Sequence, residues 1–169
     1  WYYGTMGRTA WVDSTIQTYP IAATYNNTLV FHEYGLNDNT TGTDNTALGY
    51  NSFYSNQTGS QNTAVGSSVL FNSTASQNTG VGYAALNSTT SGASNTAVGA
   101  GALQSNTTAS NNTAVGYQAG YNQTGASNTA VGQGAFYGAS GGSGTNNTAI
   151  GISTLASNTT GSVNAALGQ

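Results

Sequence analysis

Asn95-Thr96-Ala97-Val98-Gly99 is one of eight look-alike phrases, which begin at Asn45, Asn62, Asn78, Asn95, Asn112, Asn128, Asn147 and Asn164. Successive starts lie 17, 16, 17, 17, 16, 19 and 17 residues apart, the mark of a tandem repeat whose unit is one turn of a stacked structure. The first position is always Asn, and the fifth is always Gly (Gly49, Gly66, Gly82, Gly99, Gly116, Gly132, Gly151 and Gly168). The fourth is a branched aliphatic: Leu48, Val65, Val81, Val98, Val115, Val131, Ile150 and Leu167. A second apolar column falls four residues after the Gly, at Phe53, Leu70, Leu86, Leu103, Phe136 and Leu155, often behind a small residue such as Ala85, Ala102 or Ala135. Ser, Thr, Asn and Gly fill the remainder, the composition of tight connections.

A helix does not fit this pattern. Gly recurs at a fixed place, β-branched Thr and Val surround it, and the apolar spacing does not follow steps of three and four. The expectation is an all-β parallel β-roll, or β-solenoid, of about seven coils of 16–19 residues. Each coil would hold two short strands, one over the Asn-Thr-Ala-Val phrase and one over the small-then-large apolar pair. The Gly would form the corner between them, and the aliphatic fourth positions are assigned to the structural core. Such a coil has a lean interior, so association through the small Ala columns into a homotrimer is expected.

Residues 1–44 have a different texture: both Trp, the single Pro, and all six charged or imidazole side chains (Arg8, Asp13, His32, Glu33, Asp38, Asp44) precede the first repeat. Alternating stretches at 9–13 and 28–34 read as strands, and 25–28 reads as a turn between them. Residues 36–44 form a polar junction. The chain therefore divides into an N-terminal β segment with its junction (1–44) and a β-roll repeat domain (45–169).

Charged residues make up 3% of the chain, against about 25% in ordinary soluble domains. With no Asp, Glu, Lys, Arg or His after Asp44, the repeats lack the groups used in acid–base catalysis and hard-cation binding. His32 and Glu33 are neighbours in a predicted strand and would face opposite ways. No catalytic, metal or cofactor site is expected, and the chain is not expected to be an enzyme. One basic residue and a net charge of −3 provide no counterion release for nucleic acid. The absence of Cys removes disulfides and thiolate metal sites. No apolar run exceeds five residues, well below the ~20 needed to span a bilayer, so no membrane insertion by this chain is expected.

The Asn-Thr-Ala-Val-Gly phrase resembles the head repeats of trimeric autotransporter adhesins, in which Asn, a small polar residue, Ala, Val or Ile and then Gly build a left-handed parallel β-roll in each subunit of a trimer. Similar repeats occur in bacteriophage tail fibres. The resemblance covers about 125 of the 169 residues. It implies an extended, trimeric, surface-displayed fibre that binds a host receptor or glycan, or holds a binding tip at a distance. Gly7-Arg8-Thr9-Ala10-Trp11, Pro20-Ile21-Ala22 and His32-Glu33-Tyr34-Gly35 resemble segments of tailed-phage head-to-tail structural proteins. The chain departs from complete adhesins in carrying no neck, coiled-coil stalk or membrane barrel. The expectation is therefore a structural or adhesive fibre on the virion surface. The alternative is the head of a bacterial adhesin on the cell surface.

Three further features bear on binding. Tyr50, Tyr83 and Tyr117 follow the Gly corner, and Tyr54, Phe71, Tyr121 and Tyr137 follow the second apolar column. Packing at coil edges is the expected use of these rings, and Tyr50, Tyr83, Tyr117 and Tyr121 are the candidates for glycan contact. Ten Asn-X-Ser/Thr sequons occur, as an Asn- and Thr-rich composition generates without selection. The Thr column (Thr46, Thr63, Thr79, Thr96, Thr113, Thr129, Thr148) makes an ice-binding β-solenoid the alternative of another class.

Overall fold

The computed structural model describes residues 29–31, 38–138 and 141–168. The predicted strand at 9–13, the turn at 25–28, the phage-like segments and the His32–Glu33 pair lie outside them. The described chain is an all-β parallel β-solenoid of about seven turns of ~17 residues. Nine three-residue strands run β1 (Leu29–Phe31), β2 (Thr46–Leu48), β3 (Thr63–Val65), β4 (Thr79–Val81), β5 (Thr96–Val98), β6 (Thr113–Val115), β7 (Thr129–Val131), β8 (Thr148–Ile150) and β9 (Ala165–Leu167). They form one sheet in chain order, every pair parallel.

Register is kept by residue identity. Thr63 lies on Thr46, Ala64 on Ala47 and Val65 on Leu48, and the same pairing recurs up the stack. The 16-residue step to β4 and the 19-residue step to β8 leave it unchanged, since Thr63 meets Thr79 and Thr129 meets Thr148. Length variation is thus absorbed outside the strands. Among the described residues the ladder begins one coil before Asn45, with Leu29 on Thr46 and Phe31 on Leu48. Residues 38–42 also stack, for Thr40 and Thr41 both donate their N–H to the Gln57 carbonyl, at 3.0 and 2.8 Å.

The inside of the coil corrects one assignment. The aliphatic column (Leu48, Val65, Val81, Val98, Val115, Val131, Ile150, Leu167) faces outward. Leu48, Val98, Val115 and Ile150 are 42, 37, 38 and 39% exposed, Leu167 is exposed, and the other three are half-buried. The inward residues are the Asn and the small third residue, with Ala47, Ala64, Ala97, Ala114 and Ala149 at 0%. In a strand, residues two apart share a face. Asn and Ala therefore go in together, and Thr and Val go out together. A coil of this circumference has no room for two large columns, and the Leu/Phe column, with Phe53, Leu70, Leu86, Leu103 and Phe136 buried, already fills it from the other side.

Asn is tolerated inside because its carboxamide is fully used. The backbone N–H of each Asn donates to the side-chain oxygen of the Asn one coil earlier: Asn62 to Asn45 at 3.0 Å, Asn78 to Asn62 at 2.9 Å, Asn95 to Asn78 at 2.9 Å, Asn112 to Asn95 at 3.0 Å. The carboxamide nitrogens reach turn carbonyls, as Asn45 does to Gly59 at 2.8 Å and Asn95 to Ala109 at 3.0 Å. A buried polar group that finds its partners avoids the 1–3 kcal/mol or so that an orphan costs. Asn112 departs from the rule: its Nδ2 has no partner, and the carbonyl at the matching place, Gly125, accepts from Asn128 instead at 3.1 Å.

The expected second strand is also corrected. The small-then-large pair lies in hydrogen-bonded turns, and its large member sits in the left-handed region, with φ from +46° at Phe136 to +53° at Leu86. These turns still stack: Phe53 donates its N–H to Val69 O at 2.8 Å and Leu103 to Ala119 O at 3.0 Å. Left-handed backbone at a non-Gly residue costs about 1–3 kcal/mol. Burying the side chain offsets this by about 1.5–3 kcal/mol.

At the corners, Gly49, Gly66, Gly82, Gly99, Gly116, Gly132 and Gly151 have φ between +122° and +135°. They form a column in which a Cβ would run into the Gly carbonyl of the next coil, at 2.5 Å for Gly49 and 2.6 Å for Gly116. Gly168, in the last coil, does not share that conformation.

Candidate functional site

With the interior assigned, the surfaces available for function are the outward columns. The strand face carries Thr and aliphatic side chains in straight, adjacent ranks, because identical residues lie in register. Beside it, the residue after the corner Gly runs Tyr50, Ser67, Tyr83, Ala100, Tyr117, Gln133, Ile152. From Tyr50 to Tyr117 aromatic and small residues thus alternate coil by coil, and Tyr50, Tyr83 and Tyr117 are 48, 66 and 55% exposed.

Four residues later in each coil stands a further outward column: Tyr54, Phe71, Asn87, Gln104, Tyr121, Tyr137, Ala156. Its members from Tyr54 to Tyr137 are half-buried. Tyr54 and Phe71 stack with centroids 5.2 Å apart and planes 9° from parallel. Tyr121 and Tyr137 do the same at 5.2 Å and 3°. The structure thus separates the four candidate glycan-contact rings into two settings. Tyr50, Tyr83 and Tyr117 are exposed on alternate coils, whereas Tyr121 is half-buried in a stacked pair.

The turn segment also decides which sequons a transferase can reach. Asn56 and Asn106 are buried, and each carboxamide clamps the residue three ahead: Asn56 Nδ2 donates to Gly59 O at 3.0 Å while Gly59 N–H donates to Asn56 Oδ1 at 2.8 Å. Asn106 repeats the clamp on Ala109. Asn72, Asn111 and Asn146 are exposed.

Sequence reasoning missed the Asn clamps. The Ala columns, expected at the contact between subunits, instead line the inside of the coil with the ladder Asn, and Ala47, Ala85, Ala102 and Ala135 are fully buried. A signal was there, for the third position of the phrase is Ala or Gly in every copy and never larger. Among the described residues no group of three His, Cys, Asp or Glu is placed to hold a metal. Among them, too, no helix is long and apolar enough to cross a membrane.

No family model, curated protein or solved structure matches the chain.

Proposed function

We propose that this chain is the rod of a trimeric, non-enzymatic surface fibre, a structural or adhesive part of a virion that presents a host-binding surface or spaces a binding tip from the particle. One observation carries the reading: an aliphatic rank runs the length of the rod on its outer face, from Leu48 through Val98 and Val115 to Ile150, half-buried or more exposed at every coil. Contiguous apolar patches beyond a few hundred Å² are rare on monomers and mark association surfaces. A straight rank on a straight rod is suited to parallel copies of itself, since each coil meets its equivalent. The phage-like N-terminal wording favours a virion over a bacterial adhesin, which is the alternative source. The absence of ionisable side chains from Asn45 onward supports a mechanical role over catalysis.

Light scattering across a concentration series tests the assembly: three copies per particle are expected, and a mass of one chain throughout rejects it. Val98→Asp with Val115→Asp places charge in the shared face and is expected to lower the mass. Projections of the intact particle test the location by showing where the chain sits and how many copies surround the axis.

The same face supports a second reading, an ice-binding module, because Thr46, Thr63, Thr79, Thr96, Thr113, Thr129 and Thr148 stand in one straight rank beside the aliphatic one. Thermal hysteresis by a monomeric chain would establish it, and none from a trimer excludes it.

A further inference from the structure

Exposed apolar side chains are not scattered over this rod. Among the described residues, every exposed large hydrophobic side chain except Val163 belongs to one of two ranks, the fourth position of the repeated phrase or the station just after the corner Gly. The two ranks border the column of corner glycines on either side, so together they form one apolar edge down the rod. The second rank has an order that the first lacks. Tyr50, Tyr83, Tyr117 and Ile152 alternate along it with Ser67, Ala100 and Gln133, so a large apolar residue stands on every second rung and never on two in succession.

Packing within the chain does not account for that order. Where rings occur on successive coils, as Tyr54 with Phe71 and Tyr121 with Tyr137, they lie flat on one another with centroids 5.2 Å apart and are half-buried. After the corner Gly, successive rings are two rungs apart, ~9.6 Å at ~4.8 Å per rung, which is too far to stack. Tyr50, Tyr83 and Tyr117 accordingly stay exposed. At about 150–250 Å² per ring they leave roughly 350 Å² uncovered, nearly half of the ~800 Å² that a stable interface takes from each partner. The aliphatic rank continues the same edge, and it is the rank on which the fibre reading places a second copy. Residues 45–168 carry no acidic or basic side chain. A charged partner therefore finds no counter-charge, whereas a second copy matches this edge in neutrality, in length and rung for rung.

We propose that the corner-glycine edge is the axial seam of a three-fold assembly of this chain, with Tyr50, Tyr83 and Tyr117 as its anchor residues. A closed three-fold assembly allows no axial shift between copies, so equivalent residues meet about the axis at one height. Three rings meeting there need more than one rung of space, and the small side chains of Ser67 and Ala100 on the intervening rungs leave it. The seam is then a series of Tyr layers separated by layers of small residues, flanked by the aliphatic ranks of neighbouring copies. Tyr serves such a place because its ring fills volume while its hydroxyl, which donates and accepts, can pair with that of the next chain. These three rings are thereby assigned to the inside of the assembly and not to a glycan. The inference rests on the fibre reading and adds which edge faces the axis and which residues hold it.

The chain has no Cys, so single replacements in the full chain report on the seam without background. Ala100→Cys is expected to give disulfide-linked pairs of chains on mild oxidation, because equivalent residues meet at the axis. Ser91→Cys, exposed in the turn segment away from this edge, is expected to give none. Tyr83→Ser with Tyr117→Ser, which brings both stations to the residue already present at Ser67, is expected to raise the concentration of half-assembly in light scattering about a hundredfold or more, the loss of two anchors. Gln57→Thr, exposed at a station where Thr74 and Thr90 stand in later coils, is expected to leave it unchanged. Circular dichroism melting confirms that each variant keeps its fold. A trimer that forms no bridge through Ala100→Cys, bridges equally through Ser91→Cys, or assembles as well without the two rings overturns the seam and leaves the fibre. An unmodified chain with the mass of one copy at every concentration overturns both.

Discussion

Each coil has two halves that obey different rules. The half from the ladder Asn to the corner Gly repeats almost without change, because every residue there meets its own copy above and below: Thr on Thr, Ala on Ala, carboxamide oxygen on amide N–H. The other half, from the residue after the Gly to the residue before the next Asn, keeps its backbone hydrogen bonds and buried Leu or Phe. Its outward residues, however, range from Tyr to Ala to Gln. The difference teaches where information resides in a one-dimensional stack. Identity is required where neighbours must interlock, and chemistry is free to vary where the side chain faces away from the stack.

The strictest demand is expected at the corner. Gly116→Ala combines φ of +135° with a Cβ 2.6 Å from the Gly132 carbonyl. It should cost on the order of 4 kcal/mol or prevent folding. Gly134 lies in the variable half, at a station that Asn51, Ser68 and Ala84 occupy in other coils with the same left-handed backbone, and a Cβ there would meet nothing nearer than Ser153 Oγ at 3.6 Å, so Gly134→Ala should cost about 1–2 kcal/mol. Equal losses in urea unfolding would erase the contrast.

Next comes the ladder itself. Asn95→Ala strands the Asn112 N–H and opens a cavity, with an expected loss of about 2–4 kcal/mol. Asn112 already has an unpartnered Nδ2, so its replacement by Ala should cost less than that of Asn95. The reverse order would show that the carboxamide nitrogens contribute nothing.

A smaller effect links the two halves. Gly80 is the one strand position where Ala is missing among β2 to β8, and a Cβ there would collide with Val69 Cγ1, the oversized member of its own column. Gly80→Ala should destabilise by about 1–3 kcal/mol through overpacking. Adding Val69→Ala, which restores the pair found in other coils, should recover most of it, and a purely additive double variant would disprove the compensation.

Val163 offers a gain: exposed, β-branched and left-handed at φ +60°, at a station held by Asp, Gln, Ser or Asn elsewhere. Val163→Asn should raise stability by up to about 1 kcal/mol. The smallest effect is none at all. Residues 45–168 contain no Asp, Glu, His, Lys or Arg, so no such group there changes its proton affinity on folding. The melting midpoint should stay level from about pH 3 to 8, apart from any slope contributed by residues 1–44.

The stacked, parallel architecture was legible because a recurring Asn and Gly at near-constant spacing leaves few alternatives, and the buried Leu/Phe column followed from its period. The facing of the strand was not. Val attracts an interior assignment by hydropathy, and only the thinness of the coil, signalled by an unvarying Ala or Gly, turns it outward. The turns at Leu70 and Leu103 were misread as strands because nothing in a Leu residue announces positive φ; the neighbouring coils impose it. On the outward face, the aromatic rows were visible as spacing, whereas the pairing of Tyr54 with Phe71 and of Tyr121 with Tyr137 depends on how the coils stack.

The Asn ladder also has a direction. Each finished coil aims a carbonyl oxygen at the spot where the next coil's amide must arrive, so a completed turn acts as a template for its successor. A chain ended within the array is then expected to form a shorter rod rather than a tangle, which circular dichroism of a chain stopped after Gly116 would check.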